Sequence, residues 1–224
     1  MKSGKKKKKG LCIYCGKIKE ITKDHVPPRQ FFPQPRPSNL ITVPSCARCN
    51  EDAQRDEDYF RAIFMFSDAG ITPAGKKLWN QKLDKKYKND LGLRRKIAQD
   101  LKEVNLVTPS GLYIKRQSAI FPDSVRLENV VCKIVKGLYY HEFNEIIPSS
   151  VVIMAYFLQT QEERNEAFEL DLQFGSRSWP EVFEYRFKRD SINNECSTWL
   201  ISFYECIIFL AMGYNENEFK ETIN

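Results

Sequence analysis

The chain has 224 residues, is 42% hydrophobic and 29% charged, and contains ten Gly and eleven Pro. That excludes a chain disordered throughout, a collagen-like repeat and a low-complexity polymer, and allows one large or two small domains. The net charge of +6 is unevenly spread: residues 1–10 carry six Lys and no acid, 11–108 carry 18 basic and 12 acidic residues, and 109–224 carry 11 basic and 17 acidic. A basic front on an acidic back points to a polyanion partner for the front, although long-range charge alone specifies no chemistry.

In chain order, residues 1–10 offer no apolar side chain beyond Met1 and read as a disordered basic arm. Five of the eleven Pro fall between Pro27 and Pro37, so no helix runs through them, and short extended pieces are expected at 18–26 and 40–43. From Asn50, a candidate helix cap, Phe60, Ile63, Phe64 and Ser67 follow at helical spacing until Gly70. The acid run Asp56-Glu57-Asp58 reads as a solvated helix face. Two helices are expected over 73–88 and 91–104, where ten basic residues face three acids between Lys76 and Lys102, a sign bias that suits phosphate.

Further on, the patterning predicts a strand over 111–121, a helix from 123 or 124 to 143, a strand over 151–158 and a helix over 161–174. Strands follow over 182–188 and 198–212, the latter as one long strand or two. The stretch 198–212 is too short to span a membrane and contains Glu205, so no membrane association is expected. The expected fold class is α+β. It divides into an arm (1–10), a front module (11–70), a basic helical connector (71–108) and an acidic α/β or α+β unit (109–224) that could dock a protein partner or form a homodimer.

Seven Cys without a secretory signal fit a reducing, cytoplasmic setting, where paired Cys read as metal ligands. Cys12, Cys15, Cys46 and Cys49 form two C-x₂-C knuckles, which together make a closed S₄ site of the kind zinc prefers. The Pro-rich segment between them has little to bury, so a structural metal supplies what packing does not. A saturated S₄ site has no open position for catalysis. Cys132, Cys196 and Cys206 lack this spacing and read as small buried hydrophobes, and His141 as a residue at the end of a structural helix.

Between the knuckles lies Asp24-His25, one of the chain's two His, and directly behind the last Cys stands Asn50. An imidazole can serve as base for water, and a carboxylate and an amide oxygen are hard ligands suited to Mg²⁺ or Mn²⁺. The order Cys12-x₂-Cys15, Asp24-His25, Asn39-Leu40, Cys46-x₂-Cys49-Asn50 resembles the HNH endonuclease family, the zinc-stapled ββα-metal nucleases.

The resemblance implies a two-stranded hairpin followed by a helix. It implies that Asp24 binds the catalytic metal, His25 activates water, Asn39 holds the connecting loop and the His25 backbone by hydrogen bonds, and Asn50 completes the metal site. Asn50 stands where many members have His, which favours Mg²⁺ or Mn²⁺ over zinc or nickel. The basic residue that often follows that position has no clear counterpart; Arg55 is a stand-in. Arg29, Arg48, Lys76 and Lys77 are further candidates for nucleic-acid contact, with double-stranded DNA as the expected partner. The competing readings are plainer: Asn50 as a helix cap only, Asp24 paired with Lys23 or Lys17, and a zinc-stapled binding module that holds nucleic acid without cutting it.

Overall fold

Ten strands and seven α-helices make up residues 8–215, the part of the chain that the computed structural model describes, without the side chains of 82–84. The fold is mixed α+β. The front is a three-stranded antiparallel sheet of β1 (Lys9–Leu11), β2 (Ile18–Val26) and β3 (Ile41–Cys46), in that order. In the β2–β3 ladder Asp24 lies opposite Val43, His25 opposite Thr42 and Val26 opposite Ile41. Helices α1 (Ala47–Asp52) and α2 (Gln54–Met65) follow directly.

A helical stretch comes next: α3 (Pro73–Leu78), a π-type turn over Trp79–Leu83, α4 (Asp84–Asn89) and α5 (Leu91–Asp100). It leads into a hairpin of β4 (Leu101–Val107) and β5 (Tyr113–Ile120). The long helix α6 (Ser124–Phe143) precedes β6 (Val151–Leu158), α7 (Gln161–Glu169), β7 (Gln173–Phe174), β8 (Phe183–Arg189), β9 (Ser197–Phe203) and β10 (Ile207–Asn215). Their five-stranded sheet has the order β6-β10-β9-β8-β7, antiparallel throughout.

Several boundaries differ from those expected. Residues 1–7 of the expected disordered arm lie outside the described residues, and Lys9 and Gly10 are not disordered but pair with Glu20 and Lys19 of β2. The helix expected over 91–104 ends at Asp100, and Leu101 and Val104 join a ladder with Ile120 and Gln117 instead. Asp100 pins that change of direction: its carboxylate accepts a hydrogen bond from Tyr59 at 2.5 Å and pairs with Lys96 at 2.8 Å. The helix expected over 161–174 stops at Glu169, and Phe174 joins the sheet edge opposite Arg186. The stretch 198–212 is two strands turned about Tyr204 and Glu205, both at positive φ. Among the described residues no helix is long and apolar enough to cross a membrane.

One cluster of buried side chains runs from Ile13, in the turn between β1 and β2, to Ala211 in the back sheet. At its centre Phe60 of α2 stacks on Phe31 and meets Phe64, Phe203 and Phe209, with ring centroids 4.6–5.8 Å apart. The apolar stripe of α6 (Leu127, Val130, Val131, Ile134, Leu138) is buried as its spacing predicts. Gly137 sits where α6 crosses β2: a Cβ there would lie 2.4 Å from a methyl of buried Val26, so only glycine allows this approach.

Candidate metal centre and catalytic cleft

The first cysteine knuckle is a tight turn. The Gly16 amide donates to the Cys12 carbonyl at 2.9 Å with Gly16 at φ +64°, and the Ile13 amide donates to Pro44 of β3 at 3.1 Å. This lays Cys12 and Cys15 beside Cys46, the last residue of β3, and Cys49 of α1. The four sulfurs lie within 4.8 Å of one another. A tetrahedral zinc with Zn–S bonds of about 2.3 Å needs S···S edges of about 3.8 Å, so a small contraction suffices and the quartet can hold a metal such as zinc.

The thiols are electrostatically ill-matched without a cation. Burial opposes ionisation of Cys12, but backbone hydrogen bonds from Cys46, Cys15 and Tyr14 outweigh it and bring its pKa down to about 6. Burial and the neighbouring sulfurs push the Cys49 thiol well up. Sulfurs that cannot all ionise together become compatible around a divalent ion.

Beside this quartet Asp24, His25 and Asn50 line one cleft of about 410 Å³, together with Arg29, Gln30, Gln54 and Glu57. On β2 the period of two turns Asp24 and Val26 toward the buried side while His25 stays half-buried. Burial, then the Arg29 charge, lower the His25 pKa from its ordinary value; Asp24 opposes this, and Arg36 and Lys23 assist it. The imidazole is therefore neutral at pH 7. Asn50 does not cap a helix: α1 begins at Ala47 behind Cys46, and Asn50 lies inside it. Among the described residues only the cysteine quartet brings three or more His, Cys, Asp or Glu ligand atoms within 4.8 Å. A site built on Asp24 and the Asn50 amide needs only one such group.

Asp24 is paired neither with Lys23 nor with Lys17 but with Lys133 of α6, Nζ to Oδ2 at 2.9 Å. Lys133 also meets Glu57 at 2.7 Å, and Gln30 donates to the other Glu57 oxygen at 3.1 Å. Burial works against the Lys133 charge, but Glu57 and Asp24 more than restore it, and its pKa is raised. Burial raises the Glu57 pKa against the pull of Lys133. Tyr14 is half-buried beside them, and desolvation and the Asp24 charge keep its phenol protonated.

The acid run is thus not a solvated face. Glu57 turns into the cleft, and Asp58, equally buried, pairs with Arg61 at 3.3 Å and also with Lys86. Glu57 and Lys133 are the two residues that the sequence reading missed. Glu57 had a signal, standing three before Phe60 on the inward stripe. Lys133 had none beyond lying among apolar neighbours.

Asn39 lies outside the cleft: its Oδ1 accepts a hydrogen bond from Trp179 Nε1 at 3.1 Å, which ties the connecting loop to the back of the molecule rather than to His25. Of the basic candidates, Arg29 is at the cleft. Arg48 is exposed and pairs with Asp52 at 3.4 Å, and Arg55, Lys76 and Lys77 are exposed elsewhere. Cys132, Cys196 and Cys206 are half-buried rather than fully buried.

His141, in the last turn of α6, lies 3.0 Å from the Ser176 hydroxyl. That hydroxyl donates its one proton to Glu142 at 2.8 Å, so the imidazole is the donor in this contact and not a base for serine. Comparison with family models, curated proteins and solved structures finds no match for this chain.

Proposed function

We propose that the chain is a metal-dependent endonuclease of the HNH type, hydrolysing phosphodiester bonds of nucleic acid, with double-stranded DNA as the preferred substrate. The observation that carries this reading is the shared cleft of Asp24, His25 and Asn50, set against a cysteine quartet. Zinc in the quartet holds the front sheet against α1 and, being closed, takes no part in the chemistry. The oxygens of Asp24 and Asn50 would hold a hard divalent ion, Mg²⁺ or Mn²⁺, which would supply positive charge to the phosphate.

The remaining work falls to the chain itself. Neutral His25 takes a proton from water as the water oxygen bonds to phosphorus. The bond from phosphorus to the 3′ oxygen breaks, that oxygen leaves with a proton from solvent, and a 5′ phosphate and a 3′ hydroxyl result. Arg29 at the cleft wall holds a flanking phosphate.

The test is nicking of plasmid DNA with Mg²⁺ or Mn²⁺. The wild type should cut, and His25→Ala should cut slower by about 10²–10⁴-fold with its fold and zinc content unchanged. A wild-type chain that retards DNA on a gel but never cuts it is a zinc-stapled binding module, and the catalytic reading is then wrong.

A further inference from the structure

We infer that Lys133 is a positioning residue for the cleft: its ammonium, reaching in from α6, holds the Asp24 carboxylate in place and ties to it Glu57 as a second carboxylate. The inference rests on the reading of the cleft as a divalent-metal nuclease site. The three charged side chains are almost fully enclosed, with exposures of 11% for Lys133, 8% for Asp24 and 9% for Glu57. Both ion pairs are under 3 Å, the one to Glu57 a hydrogen bond and the one to Asp24 a charge contact without hydrogen-bond geometry, so one ammonium bridges two carboxylates that would otherwise repel each other in a poorly solvated place.

The approach comes from behind. Asp24 and Glu57 line the catalytic cleft, whereas Lys133 does not; it lines the neighbouring recess with Tyr14, Asn129 and Lys136. Its Nζ also sits 5.4 Å from the centre of the Tyr14 ring, which covers the ammonium on that side. Gln30 fixes the far oxygen of Glu57. One Lys against two carboxylates leaves a formal charge of −1 facing the cleft. That suits capture of a divalent ion without holding it so deeply between the carboxylates that it misses the phosphate.

Removing the ammonium should therefore uncouple ion binding from turnover. In the full-length, zinc-loaded protein, Mn²⁺ affinity is read by electron paramagnetic resonance and cleavage by kcat and KM for plasmid DNA. Lys133→Met should bind Mn²⁺ at least about tenfold more tightly, since a cation next to the site is gone. Its kcat should fall about 10²-fold through misplacement of Asp24, with KM little changed. The double variant Glu57→Gln with Lys133→Met, which removes the surplus negative charge, should return Mn²⁺ affinity to within about threefold of wild type.

A Lys133→Met protein with affinity and kcat both within about twofold of wild type overturns the inference. So does a parallel loss of affinity, kcat and thermal stability that the double variant does not repair, which is the signature of a merely structural lysine. A wild-type chain whose Mn²⁺ binding is untouched by Asp24→Asn overturns the nuclease reading as well, and is told apart from the other two results by that control alone.

Discussion

The front and back sheets are both antiparallel and are covered by the same helix, yet they hold together by different means. In the back sheet, β8, β9 and β10 send Phe183, Tyr185, Phe187, Trp199, Phe203 and Phe209 inward, and these rings pack against one another, Phe187 stacked on Trp199 at 5.0 Å. Such contacts are numerous and non-directional, and they need no particular pH or ion. Besides the ligand Cys46, the front sheet has only Val26, Ile41 and Val43 as apolar side chains buried from its paired strands. Its order rests on four sulfurs at one end and a bridged carboxylate pair at the other. The lesson is that the half with the weaker core holds the candidate chemistry, because residues reserved for ligands and charges are unavailable for packing.

Disabling the sulfurs should separate the behaviour of the two sheets most completely. With zinc bound in the quartet, stripping it with a strong chelator, or making Cys46→Ala, should cost the front on the order of 10 kcal/mol of apparent folding free energy, the scale of structural zinc sites. Hydrogen exchange should show amides of 11–52 losing protection while those of β8–β10 keep it. Equal loss in both sheets would mean that the two halves unfold as one.

Next in size is the shared core. Phe60→Ala removes the ring that touches both halves and should destabilise the protein by about 3–5 kcal/mol in urea unfolding. A change confined to one sheet would place the cluster's division elsewhere.

His25→Ala sharpens the contrast differently, by removing turnover with no loss of melting temperature. The pH profile carries the same information. Burial and Arg29 hold the imidazole below its ordinary pKa, so its proton is lost at lower pH than usual. The acid-side decline of cleavage should then lie at lower pH than an ordinary imidazole would give, and a bound divalent cation shifts it further down. A decline half complete above pH 7 would contradict His25 as the base.

The smallest effect belongs to the far flank. The capping box of Thr160 and Glu163 at the start of α7 makes Thr160→Ala worth about 1 kcal/mol, with metal content and cleavage unchanged.

Much of this arrangement could be read from residue order. The spacing of Cys12, Cys15, Cys46 and Cys49 was enough to foresee the quartet, because two knuckles on tight turns have few other uses. The stripe of α6 and the strand Val151–Leu158 were legible from periodicity. The end of α5 was not: Ile97, Leu101 and Val104 satisfy a helical period, and only the partner strand β5 decides that the last two are extended. The competing reading of Asn50 as a cap fails because the helix starts behind Cys46, which is not a usual capping residue. The role of Lys133 depends on β2 crossing α6, a tertiary event with no local trace. The same holds for Asn39, whose partner Trp179 lies on the far side of the sequence.

Gly137 stands one helical turn after Lys133, on the same side of α6, against the Val26 methyls that follow Asp24 and His25 in the chain. The missing side chain thus sets the gap between helix and strand, and with it the reach of the lysine. A methyl inserted there would act as a wedge, parting the ammonium from its carboxylates while leaving every charged residue in the sequence. Gly137→Ala should therefore mimic loss of the lysine, so that a residue with no functional group of its own tunes the acidity and aim of the cleft.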